Sequence, residues 1–141
     1  MAPQKTGSWT LAYFLDQIMW ADRCNETRNV RLFSVWSLAD DDPNPYGWTG
    51  NVSLQASGLI PGREADTMGA GYFYDGFNRS FKNLVSANPA FDVQDLQGVE
   101  IYYNAAITPW FHLTTDLQVI DTEIAGDDTA IIFGLRGKID L

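Results

Sequence analysis

The chain has 141 residues, 45% of them apolar and 19% charged, a balance that excludes a disordered tail and suits one folded or inserted unit. Nine basic against eighteen acidic residues give a net charge of −9, which repels phosphate backbones and excludes nucleic acid as a partner. The single Cys24 excludes an internal disulfide, and no run reaches the roughly 18 apolar residues of a membrane helix, which leaves alternating strands as the way to cross a bilayer.

The opening MAPQKTGSWTLAYFL carries a lysine and then a short apolar run, as a secretory signal does, but Asp16 and Gln17 interrupt it and no small-residue cleavage site follows. It reads as a strand from Trp9 to Trp20 behind a leader or loop over residues 1–8, with the signal peptide missing. The alternation of this strand is blurred, because Phe14 and Ile18 share a face with Asp16. After the polar turn ADRCNETR, a second strand is predicted over Val30 to Leu38, and DDDPNPYG, ending at Gly47, separates it from a third over Asn51 to Ile60. Turn residues from Pro61 to Asp66 precede the aromatic, Gly-rich strand Met68 to Phe77. Helical periodicity competes only between Phe81 and Phe91.

Three stretches near the C-terminus carry the clearest pattern. In GVEIYYNAAIT, Val99, Ile101, Tyr103, Ala105 and Ile107 alternate with Glu100, Tyr102, Asn104, Ala106 and Thr108. Beyond Pro109, Phe111, Leu113, Thr115, Leu117 and Val119 alternate with His112, Thr114, Asp116, Gln118 and Ile120, so the two form a hairpin. The last stretch sets Ile131, Phe133, Leu135, Gly137, Ile139 and Leu141 against Ile132, Gly134, Arg136, Lys138 and Asp140. Each strand has one oily and one wet face, and about ten residues span a bilayer when tilted.

The sum is an all-β meander of about seven strands, read as a segment of a transmembrane antiparallel β-barrel. An open sheet in lipid leaves edge groups unpaired at several kcal/mol each, and single-chain bacterial barrels use even strand numbers, so further strands are expected. If Leu141 ends in the periplasm, the turns Ala21 to Arg28, Pro61 to Thr67 and around Pro109 are inside, and Asp40 to Gly47, Asn78 to Gln97 and Asp121 to Thr129 are outside. Trp20, Trp110 and Phe111 then fall at one interface and Trp9, Trp36, Trp48 and Phe77 at the other, as the two aromatic girdles of a barrel do.

GLIPGREADTMGAGYFYDGF, GVEIYYNAAITPWFHLTTDLQVI and FGLRGKIDL, together with ADDDPNP at Ala39 to Pro45, resemble the C-terminal part of the OprB family of carbohydrate-selective porins in order and spacing. The resemblance runs from about Trp9 to Leu141. It implies a sixteen-stranded outer-membrane barrel, of which residues 9–141 form about the last seven strands, passing small sugars by diffusion. It also implies outer-membrane lipid, the barrel-assembly machinery and the remaining barrel strands as partners. The chain departs from the family at its last residue, Leu141, where the family usually ends in Phe.

Sugar passage needs a wet wall of hydrogen-bonding groups and aromatic surfaces. The lumen face offers Glu100, Tyr102, Asn104, His112, Asp116, Gln118, Arg136 and Lys138, with Arg136 and Lys138 placed to pair with Asp116, and Phe73 as a second lumen aromatic. Ordinary solvated lining accounts for such polarity in any porin and is the more economical account of each group. Tyr72, Tyr74 and Tyr103 fall on the oily face as girdle aromatics. His112, the sole histidine, has no nucleophile elbow beside it, and Glu100 with Asp116, the pair that a rival carbohydrate-active hydrolase would use, have no separation fixed by the sequence to support acid–base roles. No catalytic residue, cofactor or metal site is expected. Asp40, Asp41 and Asp42 lack EF-hand spacing and read as a solvated loop rather than a loose calcium site. The Asn-X-Ser/Thr triplets at Asn25, Asn51 and Asn78 decide nothing. The rival folds are a soluble β-sandwich and a lipocalin-like carbohydrate-binding module, which would bury the same alternating faces in a dry core.

Overall fold

In the computed structural model, which describes residues 7–41, 44–87 and 92–140, the chain forms one seven-stranded antiparallel sheet in strict sequence order. The strands are β1 (Thr10–Ala21), β2 (Asn29–Ala39), β3 (Tyr46–Ser57), β4 (Thr67–Phe77), β5 (Leu96–Thr108), β6 (Phe111–Asp121) and β7 (Ala130–Ile139). A short helix, α1 (Arg79–Val85), lies in the long β4–β5 connection. The strands hold 10 to 13 residues, or about 33–43 Å of extended chain, which crosses a hydrocarbon layer at the usual barrel tilt.

The meander expected from the alternation is present, and local bounds differ where cross-strand packing overrides turn residues. β3 begins at Tyr46 rather than Asn51, because Tyr46 stacks on Phe77 at 4.8 Å and Trp48 on Tyr74 at 4.3 Å. Those contacts carry the ladder through a Pro- and Gly-rich stretch. The same strand stops at Ser57, short of Ile60, since Gly58 turns away with φ +64°. β5 starts two residues before Gly98, at Leu96. The helix is Arg79–Val85 rather than Phe81 to Phe91; residues 88–91 lie outside the described residues. So do residues 1–6 of the expected leader, Asp42 and Leu141.

The blurred pattern of β1 is real, since Phe14 and Ile18 share the polar face with Asp16, and a change of phase follows it. Ile18 faces Arg31 and Trp20 faces Val30, so Met19 is an extra residue in a bulge. The bulge returns Trp20 to the apolar face after Phe14, Asp16 and Ile18 have all pointed to the polar one.

Among the described residues no apolar side chain is buried. Phe133 is 81% exposed, Leu135 72% and Ile131 64%. A β-sandwich or lipocalin-like module hides one sheet face in a dry interior about 10 Å thick, and this single layer has none. The buried groups are polar: Ser34, Asp66, Asn78 and Thr114.

Both ends are stitched across strands. In one turn, Arg28 donates to the Gly58 carbonyl at 3.1 Å and to Asp22 at 3.1 Å, linking the β1–β2 and β3–β4 turns. At the other end, Asn78 donates to the carbonyls of Asp40 and Asn44 at 3.1 and 2.8 Å. Asp95 there accepts the Phe77 amide at 2.9 Å, the Tyr74 hydroxyl at 2.6 Å and the Lys82 ammonium at 2.6 Å, anchoring α1 to the rim. Burial raises the Asp95 pKa, but the bonds from Lys82, Tyr74 and Phe77 outweigh it and hold the carboxyl below its ordinary range.

Candidate functional site: the polar face

Directly paired residues share a face, so the register assigns every strand position. One row across the polar face runs Ile18, Arg31, Gln55, Gly69, Tyr102, Asp116 and Gly134. Its neighbour runs Asp16, Phe33, Ser53, Gly71, Glu100, Gln118 and Ile132. All eight residues expected to line a lumen, Glu100, Tyr102, Asn104, His112, Asp116, Gln118, Arg136 and Lys138, fall on this one face of β5, β6 and β7. Phe73 joins them opposite Gly98, while Tyr72, Tyr74 and Tyr103 fall on the apolar face.

Several of these groups are held by named partners. His112 Nδ1 lies 3.1 Å from Asn104 Oδ1, and Asn104 in turn donates to Thr114 Oγ1 at 3.0 Å. Tyr102 donates its hydroxyl to Gln55 Oε1 at 2.8 Å, two strands away. Gln118 reaches Asp116 at 3.5 Å. The expected pairing of Arg136 and Lys138 with Asp116 is not formed. Asp116 stands opposite Gly134, Arg136 opposite Thr114, and Lys138 pairs with Asp140 at 2.7 Å. The register separates them, and Lys138 finds its anion in the Asp140 carboxylate, just past β7. That ammonium also holds the Asp140 carboxyl below its ordinary range.

The structure adds residues from β1 and β2 that the C-terminal pattern did not single out. Arg31 grips Asp16 through Nε at 3.1 Å and Nη2 at 2.9 Å, a two-pronged pair. Phe14, Phe33 and Val35 lie beside it on the polar face. The signal was present in VRLFSVWSL, where Arg31 alternates with outward Val30 and Leu32, but Asp16 was masked by the apolar neighbours of β1. Strand residues of this face carry Asp16, Asp75, Glu100 and Asp116 against Arg31, Arg136 and Lys138. This face is therefore close to charge-balanced although the chain is acidic. Among the described residues no cluster of three or more metal-ligating side chains occurs.

The opposite face is a continuous apolar band, including Leu11, Trp36, Leu54, Ile101, Leu117, Phe133 and Leu135. A sheet oily on one face and wet on the other is the cross-section of a membrane pore wall. The sequence matches the carbohydrate-selective porins of the OprB family over residues 1–141. The chain belongs to that family. OprB porins reside in the outer membrane, and so does this chain.

The fold agrees with that membership. The structure of Pseudomonas putida OprB at high pH superposes with a TM-score of 0.83 at 21% identity, covering 94% of this chain. The chain spans 34% of the length of that solved porin. No curated protein matches the chain in a sequence comparison.

Proposed function

We propose that residues 9–141 form part of the wall of an outer-membrane channel that passes small carbohydrates by passive diffusion. The observation that carries this reading is the division of one sheet into an oily face without a dry core and a polar face of balanced charge. Balanced charge favours neutral polyols over ions, and Tyr102, Phe73 and Phe33 offer apolar surface beside hydrogen-bonding groups, which suits a sugar ring. Glu100, Tyr102, Asn104, His112, Asp116, Gln118, Arg136 and Lys138 line the pore in this reading. They exchange hydrogen bonds with passing hydroxyls and carry out no covalent chemistry, and no cofactor takes part.

The same reading supplies the partners. Outer-membrane lipid covers the apolar face, and the barrel-assembly machinery inserts the sheet. β1 and β7, the two edges of the sheet, pair with further strands, because an open edge in hydrocarbon strands its backbone groups. Proteoliposomes carrying the barrel that this chain forms or completes are expected to swell in isotonic glucose well above empty vesicles, and more slowly in a trisaccharide. Swelling no faster than empty vesicles overturns the proposal.

A further inference from the structure

Two bulky groups sit side by side in the middle of the polar face, yet each lies down in the opposite direction. Tyr102 and Asp116 are direct cross-strand partners, and the residues flanking them in the same row are Gly69 on β4 and Gly134 on β7. The Tyr102 ring lies over Gly69. A Cβ built there would stand 2.5 Å from ring atom Cε1, 2.7 Å from Cζ and 2.8 Å from the hydroxyl oxygen. A Cβ on Gly134 would overlap the Asp116 carboxylate. The ring is pinned at its far end by Gln55, one strand beyond Gly69. The row thus reads glycine, tyrosine, aspartate, glycine, with each of the two side chains folded away from the other onto the bare backbone of a glycine.

We propose that Gly69 and Gly134 set the bore of this wall, acting as seats on which Tyr102 and Asp116 lie flat against the lining instead of standing up into the channel. This inference rests on the reading of the polar face as pore lining. A methyl on either seat removes the flat position. On this proposal the displaced side chain rises away from the sheet into the water column. Gly71, in the neighbouring row, supplies the contrast. A Cβ there meets only Ser53 Cβ at 3.0 Å and backbone at 3.4 Å or more, so an added methyl lifts no large group.

The test compares Gly69→Ala, Gly134→Ala and Gly71→Ala in the folded barrel containing this chain, by single-channel conductance and by liposome swelling in a monosaccharide and a disaccharide. Gly69→Ala and Gly134→Ala are expected to lower conductance by about a third and disaccharide swelling by more, with Gly71→Ala changing either by about a tenth, since passage through a narrow pore is steep in its radius. Adding Tyr102→Ala to Gly69→Ala should restore the lost conductance. If Gly69→Ala behaves as Gly71→Ala does, or if adding Tyr102→Ala to Gly69→Ala restores nothing, the seats are refuted while the pore reading stands. A wild-type barrel that passes no current overturns both.

Discussion

Asp66 and Ala106 belong to different elements, yet the Asp66 Oδ1 accepts the Ala106 amide at 2.9 Å and ties the turn before β4 to the end of β5. The same carboxylate accepts from Arg63 Nε at 2.7 Å and from the Tyr103 hydroxyl. It is 4% exposed. Removing it leaves the Ala106 amide and the Tyr103 hydroxyl without their acceptor. Asp66→Ala is therefore expected to destabilise the folded barrel by about 1–3 kcal/mol, read as a lower urea midpoint in detergent on a heat-modifiable gel shift. An unchanged midpoint would remove Asp66 from the structural account.

Acid should find the same residue. Burial pushes the Asp66 carboxyl up, but the bonds from Tyr103, the Ala106 amide and Arg63 outweigh it, so its folded pKa lies below the ordinary value. Asp95 at the opposite rim is depressed in the same way. A depressed carboxyl contributes its stability above the unfolded pKa of about 3.9 and loses it as the pH falls through the lower folded value. Unfolding rates should rise below about pH 4, and Asp66→Asn should flatten that rise. A variant as acid-sensitive as wild type contradicts the assignment.

The two faces make opposite demands on charge. Leu135, 72% exposed near the middle of β7 on the apolar face, should cost about 2–4 kcal/mol when changed to Arg, by the penalty for a cation near the bilayer midplane. Ile132, on the polar face of the same strand, should accept Arg within about 1 kcal/mol. Folding yield into vesicles measures both, and equal losses would show that the face assignment is wrong.

Arg31 neutralises Asp16 on the polar face. Arg31→Ala frees the carboxylate, so the channel's cation-to-anion permeability ratio should rise about two-fold, read from the reversal potential in a salt gradient. Asp16→Asn should move that potential the other way. No movement in either variant would place the pair outside the permeation path.

Much of the site was legible because strand alternation has a period of two and needs no knowledge of neighbours. Val99 to Thr108 and Phe111 to Ile120 declare their oily and wet sides from the sequence alone, and the register keeps each expected lining residue on one face. The β1 strand was harder, since Phe14 and Ile18 share the polar face with Asp16 and the bulge at Met19 then shifts the phase near the strand's end. The start of β3 was hidden for a different reason: Pro45 and Gly47 signal a turn, while Tyr46 and Trp48 gain aromatic partners, Phe77 and Tyr74, from the following strand.

The sequence by itself determined that this is an all-β, two-faced sheet of membrane-spanning strands, because side-chain direction in a strand follows from backbone geometry alone. Only the tertiary structure decided which side chains meet: Arg31 with Asp16, Lys138 with Asp140 rather than Asp116, Asp66 with Ala106, and Tyr102 lying on Gly69. Those contacts depend on the lateral register between strands and on diagonal reach across them. A one-residue slip would change every partner while leaving each strand's own pattern intact.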